Sequence, residues 1–298
     1  MKRKQAILVS ALLLALAGTV VWSVWSSRGL LSAGPEPLFQ GKPESYWVTN
    51  VSYRASDAEI KQWRDFGPEG VRVLIRGLEN ASPPGSGIYR KFYRRLAPHL
   101  PGILLRWLPN PKPDTTIGTR MSLIDFLSRL GSEAKIAEPT VARALRDEDA
   151  SVRQLASSFF TSSEDEKALV NQLDPKEKSR LLPDFIRALQ DQRSGNWGLR
   201  NNAAVALRYY PEQRQVVAPA LAKALKDPAP AVRVMAAVAL YQIDPEASRR
   251  AGAASVMIPI VRDRDDQLAS RAAQLLGKMK NETELAVPVL VEALENTN

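Results

Sequence analysis

Apolar residues follow two different patterns along the 298-residue chain. Near the start, Ala6 to Ser26 runs without a single charge. As a helix this stretch is roughly 31 Å long, about one hydrocarbon core. From about residue 66 to 295 the apolar positions instead recur at three and four residues, as Leu221, Ala224 and Leu225 do. That spacing predicts amphipathic helices, each with one buried face. Five of these segments open on a proline: Pro68, Pro139, Pro183, Pro219 and Pro288, with Pro259 a shortened sixth. Proline suits a first helical turn, where its missing N–H needs no partner, so each is expected to start a helix.

A second signature runs in register with the prolines. Asp is followed six residues later by Arg in Asp114 and Arg120, Asp147 and Arg153, Asp227 and Arg233, and Asp265 and Arg271. Asp191 and Arg200 form a fifth pair, stretched by an insertion around Ser194, Gly195 and Asn196. An Asp in the turn between two helices can accept N–H bonds from the start of the second helix. An Arg one turn into that helix can reach an adjacent turn or carboxylate through its fork of donors. A helix pair of this size cannot bury its stripe alone, so such units stack.

The unit spanning 218–243 (APALAKALKDPAPAVRVMAAVALYQI) resembles a bacterial HEAT repeat of the type related to the phycobilin-lyase HEAT-like repeats. The resemblance covers about 66–295, most clearly 136–295, and departs from the family in a long insertion at 80–113. It implies an all-α, right-handed α-solenoid of helical hairpins, in which the Asp and Arg positions form a ladder between neighbouring repeats. It also implies a protein-interaction scaffold whose partner is a protein of unspecified identity. A looser resemblance extends to anchored HEAT-repeat proteins in which the body follows a GKxxSYW-like segment, here Gly41 to Trp47. Bilin lyases belong to the wider group, so a lyase-like or accessory enzyme is a second alternative. That activity does not follow from the repeat itself. The last helix, at Pro288, is expected to be a terminal cap or an open stacking edge.

Net charge is +9, which on its face suggests an anionic partner. It is local. Lys2, Arg3 and Lys4 precede the apolar segment, six more cations lie in 80–113 without an acid, and the remaining basic and acidic residues balance. The N-terminal cluster, with only Arg28 close on the other flank, predicts residues 1–26 as a signal anchor with a cytoplasmic N-terminus. Trp22 and Trp25 fall near the distal end, where indoles favour the interface. The expected location is a bacterial inner membrane, single-pass, with a periplasmic body. The alternative is secretion after cleavage at Ala15-Leu16-Ala17. Residues 27–45 read as a Gly/Pro/Ser-rich linker, and 46–298 as the solenoid. Within the linker, Gly41-Lys42 lacks the rest of a phosphate loop. Tyr46, Trp47, Val48 and Val51 are expected to cap the first repeat.

The 80–113 insertion carries seven prolines, which exclude long helices. Tyr89, Phe92, Tyr93 and Leu96 share one helical face, and Arg90, Lys91, Arg94 and Arg95 occupy the rest. The aromatics can pack as an N-terminal cap. The four cations are the candidate site for an anionic lipid, cell-wall polymer or acidic protein. Export argues against nucleic acid, although basic residues with interleaved aromatics could serve it.

Zero cysteines exclude disulfides, thiolate nucleophiles and Cys-ligated metal. The single histidine, His99, lies between prolines and away from any nucleophile motif. The acidic runs Asp147-Glu148-Asp149 and Asp263-Arg264-Asp265-Asp266 lack EF-hand spacing and fit helix capping. No catalytic, cofactor or metal residue is expected. Trp197 is an outsized aromatic in a widened turn, expected to fill a gap there or to mark a concave-face contact.

Overall fold

A computed structural model describes residues 36–81, 95, 116–161, 168–192, 197–262, 266–279 and 283–295. The apolar segment 6–26 and its flanking charges, Arg90, Lys91, Arg94, His99, Asp114 and Asp265 lie outside the described residues. Arg95 is described, as an exposed helical residue. Among the described residues no helix is long and apolar enough to cross a membrane.

The part of the expected linker from residue 36 onward is folded against the body. Leu38–Phe39 (β1) pairs antiparallel with Lys42–Pro43 (β2). The connecting turn places Gln40 at φ 48° and Gly41 at φ 74°. Left-handed geometry at both turn positions suits a tight hairpin, and glycine adopts it without cost. Glu36 then ties the start of helix α1 (Glu44–Thr49), accepting from Ser45 N at 2.6 Å and Ser45 Oγ at 3.0 Å. The sequence suggested a linker because Gly and Pro mark turns whether the chain is free or packed. The decisive residue is Phe39, which is buried. Trp47 Nε1 donates to its carbonyl at 2.7 Å. Its ring meets Trp47, Trp63 and Phe66 at centroid distances of 5.8, 6.4 and 5.1 Å. These aromatics plug the N-terminal end of the stack.

Helix α2 (Asp57–Asp65) starts at a capping box, Ser56 with Glu59. Helix α3 (Gly67–Ala81) presses on α1 through Gly77, where a Cβ would lie 2.5 Å from Val48 Cγ2. Beyond it the chain is a succession of stacked helical hairpins, an all-α solenoid. First helices are α3, α5 (Glu138–Ala144, led by a 3-10 turn Gly131–Ala137), α7 (Pro175–Leu189), α9 (Arg214–Ala224), α12 (Ala253–Val261) and α14 (Thr283–Glu295). Second helices are α4 (Ile117–Leu130), α6 (Ala150–Thr161), α8 (Trp197–Leu207), α10 (Pro230–Ile243) and α13 (Asp266–Lys278). A short α11 (Pro245–Arg250) links α10 to α12. Second helices pack on one another in sequence order, and α3, α5, α7, α9 and α12 each pack on their own second helix, while α14 packs on α12 and α13. Ala203, Ala204 and Ala206 of α8 and Ala236, Ala237 and Ala239 of α10 are all buried, so these backbones approach closely.

The prolines correct the expected helix starts. Pro68 and Pro139 do sit at the beginning of α3 and α5, but Pro183, Pro219, Pro259 and Pro288 lie inside α7, α9, α12 and α14. Each of these helices begins one to two turns earlier than expected. An internal proline forfeits one backbone hydrogen bond and crowds the preceding turn. Apolar burial on both sides of it, Leu181 and Phe185 in α7 for example, holds the helix together.

Candidate protein-interaction surface

The Asp and Arg positions meet between neighbouring repeats. Arg120 Nε lies 3.0 Å from Asp147 Oδ2, and its Nη2 donates to Oδ1 at 3.2 Å. Arg153 Nη2 is 3.1 Å from Asp191 Oδ2. Arg200 is bidentate on Asp227, Nε to Oδ2 at 2.6 Å and Nη2 to Oδ1 at 3.0 Å. The same arginines also hold their own turns. Arg153 Nη1 donates to the carbonyls of Asp147 and Glu148 at 2.8 Å, and Arg233 Nη1 to those of Asp227 and Pro228 at 2.9 and 3.0 Å. The carboxylates cap in turn: Asp147 accepts from Asp149 N, and Asp227 from Ala229 N, each at 2.9 Å. Burial alone pushes the Asp227 carboxyl up, but the Arg200 guanidinium and the Ala229 N–H outweigh it and hold it below the usual carboxylate range. Arg271 departs from this pattern. It is exposed, with Nη1 3.3 Å from Met235 Sδ.

With Arg120, Arg153 and Arg200 buried, the exposed face of the second helices is left for contact. Helices α6, α8 and α10 contain no carboxylate, no lysine and no arginine except Arg153, Arg200 and Arg233. Partly exposed positions follow the ladder arginine on α6 (Gln154, Leu155 and Ser158) and on α8 (Asn201, Asn202 and Val205); on α10 Arg233 is itself partly exposed, with Val238 beyond it. Asn202 Nδ2 bridges to Ser157 Oγ at 3.2 Å across the helix pair. The matching face of α4 is covered instead. Arg54 N donates to Asp125 there at 2.9 Å, and Arg129 Nη1 to the Ala55 carbonyl at 3.1 Å. Trp197 opens α8 with 52% exposure, so it does not fill an interior gap. It stands at the margin of this uncharged face.

The first helices present the opposite chemistry. Arg146 is bidentate on Asp184, at 2.7 and 2.9 Å, and Arg187 reaches the same carboxylate at 2.5 Å. Arg180 Nη2 holds both oxygens of Glu138, at 2.6 and 2.5 Å. Arg143 pairs with Glu79 at 2.5 Å. Sequence reasoning missed these pairs. A signal was present: the residue before the proline is apolar in Leu182 and Ala218 but acidic in Glu138, and all three are buried. A charge at a buried register position must find a counter-charge.

Two features have no chemical reach. A cavity of about 300 Å³ between α1 and α3 is lined by Glu44, Val48 and Arg76, but Arg76 is already bidentate on Glu44 at 2.9 and 2.6 Å. Among the described residues no cluster of three or more Asp, Glu or His could hold a metal ion. The acidic turn 147–149 caps helices, as Asp149 accepts from Ser151 N at 2.9 Å.

Comparison with known proteins bears on the same unit. Residues 217–247 match the family model of the HEAT repeat. The matched stretch holds α9, the turn with Asp227 and Arg233, and α10. The protein is HEAT-like in its repeats. No curated protein matches the chain. Among solved structures, one engineered protein is similar over 85% of this chain at 19% identity and a TM-score of 0.44. This chain spans 61% of that protein's length. A second engineered protein is similar over 80% of this chain and 98% of its own, at 17% identity and a TM-score of 0.40. A designed armadillo repeat protein in complex with the peptide (KR)4 is similar over 74% of this chain and 98% of its own, at 15% identity and a TM-score of 0.42.

Proposed function

We propose that this protein is a non-enzymatic, membrane-anchored scaffold that binds a protein partner on the face formed by α6, α8 and α10. The observation that carries this reading is the lack of carboxylates and lysines on those helices, with Arg153 and Arg200 buried beneath the face. The ladder sets the spacing of the helices, so Gln154, Asn201 and Val205 are presented on a rigid, repeating surface. Amides and small apolar groups recognise a partner by hydrogen bonding and shape, and their binding changes little with salt. Close packing of the Ala-rich second helices supports a concave face on their side, and the HEAT-like repeat supports a right-handed α-solenoid.

The anchor rests on the sequence of residues 1–26: an uncharged span of membrane length behind Lys2, Arg3 and Lys4. It places the body on the periplasmic side of a bacterial inner membrane. Carbonate extraction is expected to leave the protein in the membrane pellet, and recovery in the supernatant removes the anchor from the reading.

The scaffold is tested by a photo-crosslinking residue placed in cells at Asn201 or at Val205. Discrete adducts are expected from both positions and none from exposed Glu246 on α11, with adduct yield insensitive to added salt. Equal adducts from Glu246 would locate binding elsewhere and defeat the reading.

A further inference from the structure

The first helices carry a charge pattern at fixed register that the α6–α8–α10 reading does not use. Four residues before three of the five ladder aspartates stands a cation: Arg143 before Asp147, Arg187 before Asp191 and Lys223 before Asp227. Directly before the aspartate stand Arg146, Gln190 and Lys226. The side chains of Arg143, Arg146 and Arg187 are 67, 61 and 58% exposed, and Lys223 and Lys226 are exposed as well. Five cations therefore share one outer stripe over α5, α7 and α9.

The stripe is under-compensated. Arg146 and Arg187 converge on the single carboxylate of Asp184, and Arg143 has Glu79. Lys223 and Lys226 have no ion pair among the described residues. Arg187 reaches Asp184 through Nη1, and its side chain stays more than half exposed. Like charges held in a row favour an incoming anion and steer its approach.

The geometry is a line rather than a plane. Helices α7 and α9 touch, and packed helices lie about 8–10 Å apart, so Arg187 and Lys223 stand at about that interval. Arg146 reaches from just past the end of α5 to Asp184 on α7, which puts the α5 cations next in line. An extended chain advances about 3.3 Å per residue, so every third side chain matches the interval. We infer that this stripe binds an extended acidic segment of a protein partner, with carboxylates at every third residue opposite Arg143, Arg187 and Lys223. The scaffold then carries two recognition faces of different chemistry, one uncharged and one cationic. This inference stands apart from the α6–α8–α10 reading, because substitutions at Asn201 and at Lys223 report on opposite faces.

The test uses the full chain in detergent and a fluorescent peptide of repeating Glu-Ser-Ser, followed by anisotropy. Binding is expected at low salt and to weaken steeply as salt is raised. The variant K223E/K226E is expected to weaken binding about tenfold or more, with an unchanged melting curve because both lysines are exposed and outside any ion pair among the described residues. Should that variant melt early, K223Q/K226Q serves in its place. R250E, an exposed cation on α11, is expected to leave binding unchanged. A Glu-Ser repeat of equal charge is expected to bind more weakly. Unaltered affinity in K223E/K226E, equal loss in R250E, or equal binding of both peptides overturns the inference. So does tighter, stripe-dependent binding to phosphatidylserine vesicles than to the peptide, which would make the partner a lipid surface.

Discussion

On the α6–α8–α10 side, Arg200 and Asp227 are each only 3% exposed, and the surface above them is uncharged. On the α5–α7 side, Arg180 and Arg146 are more than half exposed while their partners Glu138 and Asp184 are buried. Both sides join neighbouring repeats with arginine–carboxylate bonds, yet they place the charge differently. The inner ladder hides both partners and leaves a neutral face for contact. The outer pairs hide only the acid and keep guanidinium groups in water, where an anion can reach them. Exposure, rather than bond type, separates a structural staple from a recognition group.

The strongest way to break the comparison is to remove one inner partner. Arg200→Met strands the Asp227 carboxylate in the core, and a loss of about 3–5 kcal/mol in unfolding free energy is expected. The double variant Arg200→Met/Asp227→Leu is expected to recover most of that loss, since the stranded charge is gone. Denaturant titration of the three proteins checks both values. If Arg200→Met costs under about 1 kcal/mol, the ladder does not set the stack.

A smaller loss is expected on the outer side. Arg180→Met leaves buried Glu138 without its bidentate donor, which costs about 1–3 kcal/mol. The residual carboxylate can still draw on water where Arg180 was exposed, so this loss should stay below that of Arg200→Met. The reverse order in urea would remove the distinction between the two sides.

Acid sharpens the same contrast. The folded Asp227 carboxyl is held below the usual range, by Arg200 and Ala229 N–H against the opposing effect of burial. Its contribution is therefore present above the unfolded value of about 3.9 and lost as pH falls through the lower folded value. Wild type is expected to lose stability below about pH 4. Asp227→Asn, already without the charge, should show a shallower decline there.

Much of this was legible in the sequence for a physical reason. The period of apolar residues and the register of Asp with Arg repeat, and a repeated signal at fixed spacing survives local noise. What repeats only once was not legible. Phe39 reads as one apolar residue in a Gly/Pro stretch, and only its contacts with Trp47, Trp63 and Phe66 reveal it as part of the core. The internal prolines were read as helix starts because a proline signals what it forbids, not where the helix before it began. The uncharged face was visible in outline, since α6, α8 and α10 lack acids. That α4 is covered by the loop around Arg54 and Ala55 was not, because the covering segment lies about seventy residues away in the chain.

Tyr210 tests how far burial alone governs the core between the two faces. It is fully buried beside Phe185, at a centroid distance of 6.2 Å, and its hydroxyl has no hydrogen-bond partner among the described residues. Burial, with the nearby charge of Glu138, pushes the phenol well above its ordinary range. Tyr210→Phe keeps the ring and deletes an unsatisfied polar group, so stability is expected to hold or rise by up to about 1 kcal/mol. A clear loss would mean that the hydroxyl has a partner in the folded protein.

The smallest effect belongs to one of the pairs with the shortest bonds. Arg143 and Glu79 are 2.5 Å apart, closer than the 3.0 Å of Arg120 and Asp147, but their side chains are 67 and 43% exposed against 5 and 12%. Distance ranks the outer pair first; solvent screening ranks it last. Arg143→Gln is expected to change stability by less than about 1 kcal/mol, and that small change should vanish at high salt. Arg120→Gln should cost several times more and keep its cost in salt, because its partner stays out of water. Parallel urea titrations of the two variants at low and high salt decide between distance and exposure, and equal losses would show that the two faces are held by the same means.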